Sequence, residues 1–323
     1  MRILVLSFFL SNIILAFSFQ QEEYKLSLNS LLIFNYDYAQ RKMDSKIISS
    51  NSFYFSKVYL DIINEYQKFF LLKFSLDVSD LAGKPSYELS IEIKPKKEMK
   101  VILGKFKQPL GYEISLLPKE NYLFEPSFIY YWKEPFIYDL GIGFFYIFNN
   151  LETNINLVNG SGRLFYWDNN EWKNVSGRIC YTPIKDLSLG VNFYYGKTGW
   201  GKIKDLLPFF WLGGELVYLK FPNIFIFEYL FGQDKDKEYK KYQRQGFYFL
   251  FGRQIDRLLP VIRVDFKREK KEVRELLKDI GFTFGLNYFL KDENLKIAPN
   301  FCFHSYSRTD YLIKFVLQFQ GYI

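Results

Sequence analysis

The chain has 323 residues, with 43 Lys and Arg against 35 Asp and Glu for a formal net charge of +8, and aromatic side chains make up 21% of it. Such a high aromatic content excludes a disordered chain, while 2 Cys and a single His are too few for a disulfide scaffold or a zinc protein. Beyond the N-terminus no apolar run reaches the roughly 20 residues of a transmembrane helix, so a polytopic helical membrane protein is excluded and a large β-rich domain remains.

The N-terminal residues 1–18 have the pattern of an export signal. Arg2 gives a basic start, the stretch 3–17 is almost wholly apolar, and Ala16 and Ser18 are the small residues expected before a cleavage site. A membrane anchor is the alternative, but the apolar core is short for a span and a strand pattern follows it directly. We therefore expect removal of 1–18 and an exported domain over 19–323.

Period-two alternation recurs along nearly all of this domain. The clearest example is the stretch 86–94, where apolar and polar side chains strictly alternate: Tyr87, Leu89, Ile91 and Ile93 against Glu88, Ser90, Glu92 and Lys94. One apolar and one charged face are typical of a barrel wall between lipid and water. The pattern predicts sixteen strands, at about 24–36, 52–63, 66–78, 86–94, 98–106, 136–148, 150–158, 174–183, 186–197, 208–220, 223–233, 244–254, 259–268, 279–290, 294–304 and 309–320.

The connections between these strands differ in length in a regular way. Those after even-numbered strands are tight, whereas those after odd-numbered strands are mostly longer and more polar, such as 37–51, 107–135, 159–173, 234–243 and 269–278. Short periplasmic turns and long outer loops are the asymmetry of outer-membrane barrels, and a soluble β-sandwich has no reason to show it. The sequence therefore predicts an all-β fold, an antiparallel transmembrane β-barrel of about sixteen strands.

The longest connection, 107–135, is the third outer loop and resembles in its position the loop that folds into the channel of general porins. Its charges are mixed, and its aromatic residues could pack against the inner wall. We predict that it narrows the lumen, with four candidate residues at the constriction: Lys107, Glu113, Lys119 and Glu120. An exposed surface loop is the alternative.

The stretch 101–113, VILGKFKQPLGYE, resembles the "LGxFKxPFGxE" segment of the phosphate-selective porin O and P family. Looser similarities follow in the same order at 139–142, 157–162, 214–216, 227–229 and 284–289. The resemblance implies a trimeric sixteen-stranded porin. Phosphate-selective members line their channel with an arginine ladder and a lysine cluster, and no such ladder is evident here.

Alternation places charged residues of both signs on the faces predicted to line the pore. The candidate cations are Lys57, Lys73, Lys94, Lys100, Arg178, Arg263, Lys267, Lys296 and Lys314, and the candidate anions are Asp61, Asp77, Glu88, Glu92, Glu152, Glu215, Glu228 and Asp265. Nine candidate cations against eight candidate anions do not make an anion-selective lining. The sequence thus predicts a water-filled outer-membrane channel for small hydrophilic solutes or anions, with at most a weak anion preference. We expect a homotrimer surrounded by lipid and lipopolysaccharide.

Enzyme chemistry has little support in the sequence, and we predict no catalytic, cofactor or metal site. The single His, His304, lies beside Ser305, but alternation directs His304 toward the lumen. Cys180 and Cys302 also point inward from distant strands, so free thiols are expected. The basic stretch 235–244 is interleaved with acids, which is typical of a solvated loop rather than a nucleic-acid site. Three alternatives stay open: a channel specific for phosphate or an organic anion, a barrel-embedded hydrolase, and a barrel with a plugged lumen.

Overall fold

Sixteen consecutive antiparallel strands close into a barrel. The computed structural model describes residues 5–9, 12–21, 24–43, 46–78, 86–133, 136–162, 172–198, 207–235, 241–272, 274–291, 294–306 and 310–322. The barrel strands are β3 (Tyr24–Met43), β4 (Lys46–Tyr66), β5 (Phe70–Asp77), β6 (Ser86–Lys96), β7 (Met99–Lys107), β8 (Tyr138–Phe148), β9 (Leu151–Val158), β10 (Asn174–Ile184), β11 (Leu187–Thr198), β12 (Leu207–Lys220), β13 (Asn223–Lys235), β14 (Lys241–Arg253), β15 (Leu258–Lys271), β16 (Arg274–Lys291), β17 (Leu295–Ser305) and β18 (Tyr311–Tyr322).

Each strand pairs with the next along the chain, and β18 pairs with β3 over residues 311–322 and 31–42 to close the sheet. Closure satisfies the backbone hydrogen-bonding groups of every strand, which a bilayer interior requires. All sixteen predicted segments coincide with these strands. The antiparallel barrel predicted from alternation is therefore confirmed.

For two of the stretches predicted to be outer loops, the prediction is wrong. The stretches 37–51 and 269–278 are mostly strand, because the pairing of β3 with β4 continues to Met43 and Lys46 and that of β15 with β16 continues to Lys271 and Arg274. These hairpin ends lack the alternation of the wall: Ile47 and Ile48, for example, are adjacent and both exposed. A hairpin that extends beyond the apolar band needs no alternation, so its sequence resembles a loop.

Two short strands, β1 (Val5–Phe9) and β2 (Asn12–Gln21), precede the barrel. The end of β2 pairs with residues 24–28 of β3, below the part of β3 that pairs with β18. The barrel therefore closes without residues 5–21. The export signal over 1–18 stays a prediction.

The outward faces are apolar from one strand to the next. On β8, for example, Ile142, Phe144 and Phe148 are exposed, and β11 and β16 repeat the pattern. The hairpin turns at one end of the barrel span only a few residues, such as 97–98 and 149–150. Among the described residues, no helix is long and apolar enough to cross a bilayer.

The connection between β7 and β8 carries the only helices in the described part of the chain: α1 (Tyr112–Ser115), a 3-10 turn at Pro118–Glu120, and α2 (Phe128–Lys133). We call residues 108–133 and 136–137 the inner segment, since they lie inside the barrel. Its apolar residues form one buried cluster with the inward side chains of the neighbouring wall, among them Leu110, Ile114, Ile129, Phe136, Tyr194, Trp211, Ile226, Leu230, Leu250 and Val261.

This cluster divides the interior into two unlike halves. Strands β9 and β11–β15 present buried apolar side chains to the inner segment. Strands β4–β6 instead present polar inward residues, such as Lys57, Asp61, Ser75 and Glu88. The hydrophobic core of the protein therefore lies off centre, within the barrel, between the inner segment and one side of the wall.

Candidate functional site

The middle of the inner segment is held by β15. The guanidinium of Arg263 donates hydrogen bonds to the carbonyl oxygens of Glu125 (2.8 Å) and Pro126 (3.0 Å), and Asp265 holds that guanidinium at 2.7 Å. Asp265 also accepts a hydrogen bond from the backbone N–H of Phe128 at 3.1 Å. A buried cation and a buried anion, side by side on one strand, thus satisfy backbone groups that would otherwise be unpaired inside the barrel.

A second anchor lies on β13. The ammonium of Lys133 on α2 pairs with the carboxylate of Glu228, which also accepts hydrogen bonds from the Glu113 N–H at 3.2 Å and the Tyr248 hydroxyl at 3.1 Å. Gly111 passes close to this carboxylate with φ 106°, a backbone conformation that favours glycine. A side chain at this position would collide with Glu228 and prevent the close approach.

The inner segment continues along β16, β17 and β18. Its carbonyl oxygens accept hydrogen bonds from wall side chains: Tyr122 from Asn287 at 2.8 Å, Asn121 from Lys296 at 2.7 Å and Lys119 from Gln320 at 3.1 Å. At the opposite end, Gln108 accepts hydrogen bonds from Asn156 and Ser176 at 3.0 and 2.8 Å. The segment therefore follows the inner wall from β9 to β18, and the predicted inward folding of this connection describes its position better than the exposed-loop alternative.

Two carboxylates of the segment have opposite electrostatic surroundings. Burial raises the pKa of the Glu113 carboxyl, although Arg263 at 3.9 Å and the Ser127 hydroxyl counteract it. Burial would also raise the pKa of Glu125, but the Lys314 ammonium and the Tyr131 hydroxyl hold that pKa below its usual range. Glu125 is thus a stable anion that ties the segment to β18.

A cavity of about 280 Å³ lies between the inner segment and strands β3–β5. We call it the central cavity. Its wall side is formed by Ile33, Ser56, Lys57, Tyr59 and Asp77, and its other side by residues of the inner segment together with Lys107, Tyr138 and Gln318. The space therefore lies on the polar half of the wall, opposite the apolar core.

Lys107, a predicted constriction residue, lines this cavity. Its ammonium donates a hydrogen bond to the Leu116 carbonyl oxygen at 2.7 Å, and it forms no ion pair within the described part of the chain. The other charged residues that line the cavity include Lys57 and Asp77, which pair with each other at 2.6 Å. Lys107 therefore forms no ion pair with a described carboxylate, although the Glu113 carboxylate lines the same cavity.

Most of the predicted pore-lining cations lie beside a carboxylate. Lys73 pairs with Glu88 at 2.8 Å, Lys267 with Asp279 at 3.0 Å, and Lys100 and Lys94 share Glu92 at 3.4 and 4.0 Å. Arg178 pairs with Glu215, and Lys314 with Glu125. Most positive charges on the inward face are therefore neutralised locally by a neighbouring carboxylate, in addition to the near balance of the total charge.

The other predicted constriction residues do not converge on one point. Glu113 faces Ser127 and Arg263, at the core side of the segment. The Glu120 carboxylate accepts a hydrogen bond from the Leu117 N–H at 2.8 Å, while the Lys119 ammonium lies 3.7 Å from the centre of the Tyr322 ring. The structure thus brings Lys107 and Glu113 to the central cavity and leaves Lys119 and Glu120 at its margin.

The lone His has structural surroundings rather than a catalytic partner in the described residues. His304 points inward, with its ring edge-on to Phe128 at 4.8 Å between centroids, and Nε2 has no hydrogen-bond partner there. Ser305 follows on the opposite face of β17. Cys180 and Cys302 are buried free thiols, as predicted.

Sequence reasoning missed the uncharged residues of the cavity. Ser56, Tyr59 and Tyr138 line it, yet only charged residues were selected as candidates. Tyr59 shares the inward face of β4 with Lys57 and Asp61, so alternation identifies it once the strand is located.

Solved outer-membrane proteins share this architecture. The structure superimposes on an anion-selective porin from Comamonas acidovorans with a TM-score of 0.73 and 10% identity, covering 93% of this chain and all of that one. In-vitro folded OmpT, an outer membrane protein of Vibrio cholerae, superimposes with a TM-score of 0.72 and 9% sequence identity. The match covers 95% of this chain and 99% of that one. Salmonella typhi OmpF, in complex with daunomycin, superimposes with a TM-score of 0.67 and 12% sequence identity. The match covers 94% of this chain and all of that one. At such identities the similarity concerns the fold.

No curated protein matches the sequence. Residues 63–250, more than half of the chain, match the family described as "Putative beta-barrel porin-2, OmpL-like". The prediction of an outer-membrane porin is thereby confirmed, whereas the narrower resemblance to phosphate-selective porins is not. The closed barrel, its apolar outer face and the sequence match together place the chain in the outer membrane, as a member of the OmpL-like β-barrel porin-2 family.

Proposed function

We propose that the protein is a passive, water-filled pore through which small hydrophilic solutes and ions cross the outer membrane. The observation that carries this proposal is the position of the central cavity. The inner segment packs against β9–β18 and leaves space beside the polar inward face of β3–β5. Solutes pass between Lys107 on one side and Lys57, Tyr59 and Asp77 on the other.

Selectivity in this pore is weak. Lys57, Lys73 and Lys100 each lie next to a carboxylate, so a passing ion encounters dipoles rather than a row of like charges. Lys107 adds a positive charge at the central cavity, whereas the negative charge of Glu113 in the same cavity is offset by Arg263 at 3.9 Å. A slight anion preference follows from this one residue.

Single-channel recording of refolded protein in a planar bilayer tests the proposal. A salt gradient gives the ion preference, and added phosphate then gives the affinity for that anion. Stepwise ohmic currents with little phosphate block support a general diffusion pore. Absence of current from verifiably folded protein would contradict the pore and leave a plugged barrel.

A phosphate- or organic-anion-specific channel is the second candidate, favoured by the 101–113 stretch and by the Lys107 ammonium in the cavity. Block by low phosphate concentrations would establish it. A hydrolase centred on His304 has less support, because Phe128 covers the ring and Ser305 points away from it. We regard the protein as a channel and not as an enzyme.

The assembly belongs to the same proposal. One solved form of Vibrio cholerae OmpT is a trimer, with a TM-score of 0.69 and 8% identity, covering 93% of this chain and all of that one, and we propose a homotrimer here. Outer-membrane lipid and lipopolysaccharide would surround it, after removal of the export signal at 1–18. Cross-linking of the folded protein in detergent, followed by electrophoresis, measures the subunit number.

A further inference from the structure

The two sides of the central cavity differ in polarity. The residues that the inner segment contributes to its lining are apolar or aromatic, with the exceptions of Glu113 and Asn121. The barrel strands contribute the opposite: apart from Ile33, every lining residue on that side carries a polar group, as Ser56 and Gln318 do. A solute in this space therefore meets an apolar surface on one side and hydrogen-bonding groups on the other.

Tyr131 of α2 provides an aromatic surface inside the barrel. It lines the cavity and is 49% exposed. Its hydroxyl donates a hydrogen bond to the Glu125 carboxylate at 3.0 Å, and its ring lies edge-on to that of Tyr130 at 6.2 Å between centroids. These contacts hold the ring and leave about half of the residue uncovered. The C–H groups of a solute can cover such a surface favourably.

The polar side offers donors and acceptors next to each other. Lys57 and Asp77 pair at 2.6 Å, and the Lys57 side chain stays 39% exposed. The Gln318 amide nitrogen donates a hydrogen bond to Gln320 at 3.2 Å, and the Gln318 carbonyl oxygen is left to accept one from a solute. A hydroxyl group both donates and accepts, so a solute with hydroxyls on neighbouring carbons matches this lining.

The charges of the lining favour a neutral solute. Asp77 balances the Lys57 ammonium, and Arg263 lies 3.9 Å from the Glu113 carboxylate. The Lys107 ammonium has no carboxylate partner among the described residues, but it already donates a hydrogen bond to the Leu116 carbonyl oxygen. An ion would lose hydration along the apolar side of the cavity without a matching gain, whereas the C–H face of a hydroxylated ring loses little there.

We propose that the central cavity is a weak binding site for the pyranose ring of a neutral sugar. A C–H face of the ring lies against Tyr131 on the apolar side, and the hydroxyls bind the Lys57–Asp77 pair and Gln318. The cavity of about 280 Å³ is small for a ligand site, so it takes one ring at a time. This inference rests on the proposed function, since it names the class of solute that passes through the same cavity.

The test compares glucose with sorbitol, a polyol of nearly the same size that has no ring. Each is added in increasing concentration to planar bilayers that contain wild type or one of three variants. Tyr131→Leu removes the flat ring, and Tyr131→Phe keeps the ring and removes only the hydroxyl. Tyr146→Leu is the matched control, because Tyr146 is exposed on the outward face of β8. Heat-modified gel mobility verifies folding.

We expect glucose to lower the ion current of wild type in a saturable manner, with a half-maximal effect between about 1 and 100 mM. Sorbitol should lower the current only as far as the conductivity of the solution falls. Tyr131→Leu should weaken the glucose effect roughly fivefold, whereas Tyr131→Phe and Tyr146→Leu should retain it. Equal effects of the two polyols on wild type, or an undiminished glucose effect in Tyr131→Leu, would overturn the proposal.

A second variant covers the polar side of the site. If Tyr131→Leu does not fold, the double variant Lys57→Met with Asp77→Leu takes its place, since it removes both members of the ion pair. Its glucose effect should also be weaker than that of wild type, and an undiminished effect would overturn the proposal.

Saturation-transfer NMR of the folded protein in detergent measures sugar binding without conduction, and so separates the sugar site from the pore. Transfer to glucose but not to sorbitol supports the site, even if the bilayer shows no current and the pore is thereby contradicted. An open channel without transfer to glucose would overturn the sugar site and leave the pore.

Discussion

Lys133 of the inner segment and Glu228 of β13 form an ion pair in which neither side chain is more than 1% exposed. Two charges at this depth are tolerated because each has further partners: the Glu228 carboxylate also accepts hydrogen bonds from Tyr248 and from the backbone of Glu113. The pair fixes α2 against the wall. It therefore helps to hold the inner segment on the β13 side of the barrel.

We predict that Lys133→Met destabilises the barrel by about 3–5 kcal/mol, because it leaves a buried carboxylate without its cation. The double variant Lys133→Met with Glu228→Gln should recover part of this loss, since the uncompensated charge is gone. Unfolding by urea in the presence of lipid vesicles measures both.

The matched control is Lys94→Met. Lys94 is partly exposed and lies 4.0 Å from Glu92, so its removal should change the free energy of unfolding by less than about 1 kcal/mol. Equal effects at Lys94 and Lys133, or a double variant as unstable as the sum of the single ones, would show that the buried pair is not an anchor.

Arg263→Lys should loosen the inner segment without removing the positive charge. A lysine cannot reach the Glu125 and Pro126 carbonyl oxygens and Asp265 at once, as the guanidinium does. We expect open-channel current noise to increase and the mean conductance to change, since the segment borders the proposed passage.

Arg178→Lys is the comparison for this prediction. Among the described residues, Arg178 pairs with Glu215 and Glu152 of the wall and with no residue of the inner segment. Its current should resemble that of wild type. Quiet, unchanged currents in Arg263→Lys would mean that the remaining contacts suffice to hold the segment.

Lys107→Glu should shift ion preference toward cations. A charge reversal about 8 Å from a passing ion changes its energy by about 1 kcal/mol in water, and the change has opposite signs for cations and anions, so the permeability ratio should change by a factor of about thirty. Reversal potentials under a salt gradient measure this ratio. Lys68→Glu, in an exposed turn, is the control and should leave it unchanged.

Lys100→Glu makes a second comparison. Lys100 shares Glu92 with Lys94 and does not line the central cavity. Its effect on the permeability ratio should be smaller than that of Lys107→Glu. A larger effect would place the narrow part of the passage near Glu92 instead.

Alternation predicted the barrel strands well, because a wall between lipid and water imposes the same two-residue period on every strand. It failed at 37–51, where the hairpin extends beyond the apolar band and the first eight residues of β4 are all exposed. The path of the inner segment could not be read from alternation in the same way. Its contacts join residues far apart in sequence, such as Lys133 with Glu228 and Lys314 with Glu125.

The sequence nevertheless contains a signal for that path. Strands β12–β14 are nearly continuous in apolar residues, and their inward members Val217, Ile226, Leu230 and Leu250 are buried. Strands with two apolar faces are covered on both sides. Strict alternation on β6 marks the opposite, water-facing half of the wall. Charge counting was less informative, because the ion pairs cancel the charges locally.

The most direct test of the central claim is single-channel recording of two cysteine variants, with Cys180 and Cys302 replaced by Ala, before and after a charged thiol reagent. Ser56 lines the central cavity, whereas Ser176 is buried beneath Gln108 on the packed half of the barrel. The account predicts that the reagent lowers the current of Ser56→Cys in discrete steps and leaves that of Ser176→Cys unchanged. An equal fall in Ser176→Cys, or an unaltered current in a fully modified Ser56→Cys, would contradict a passage between the inner segment and β3–β5.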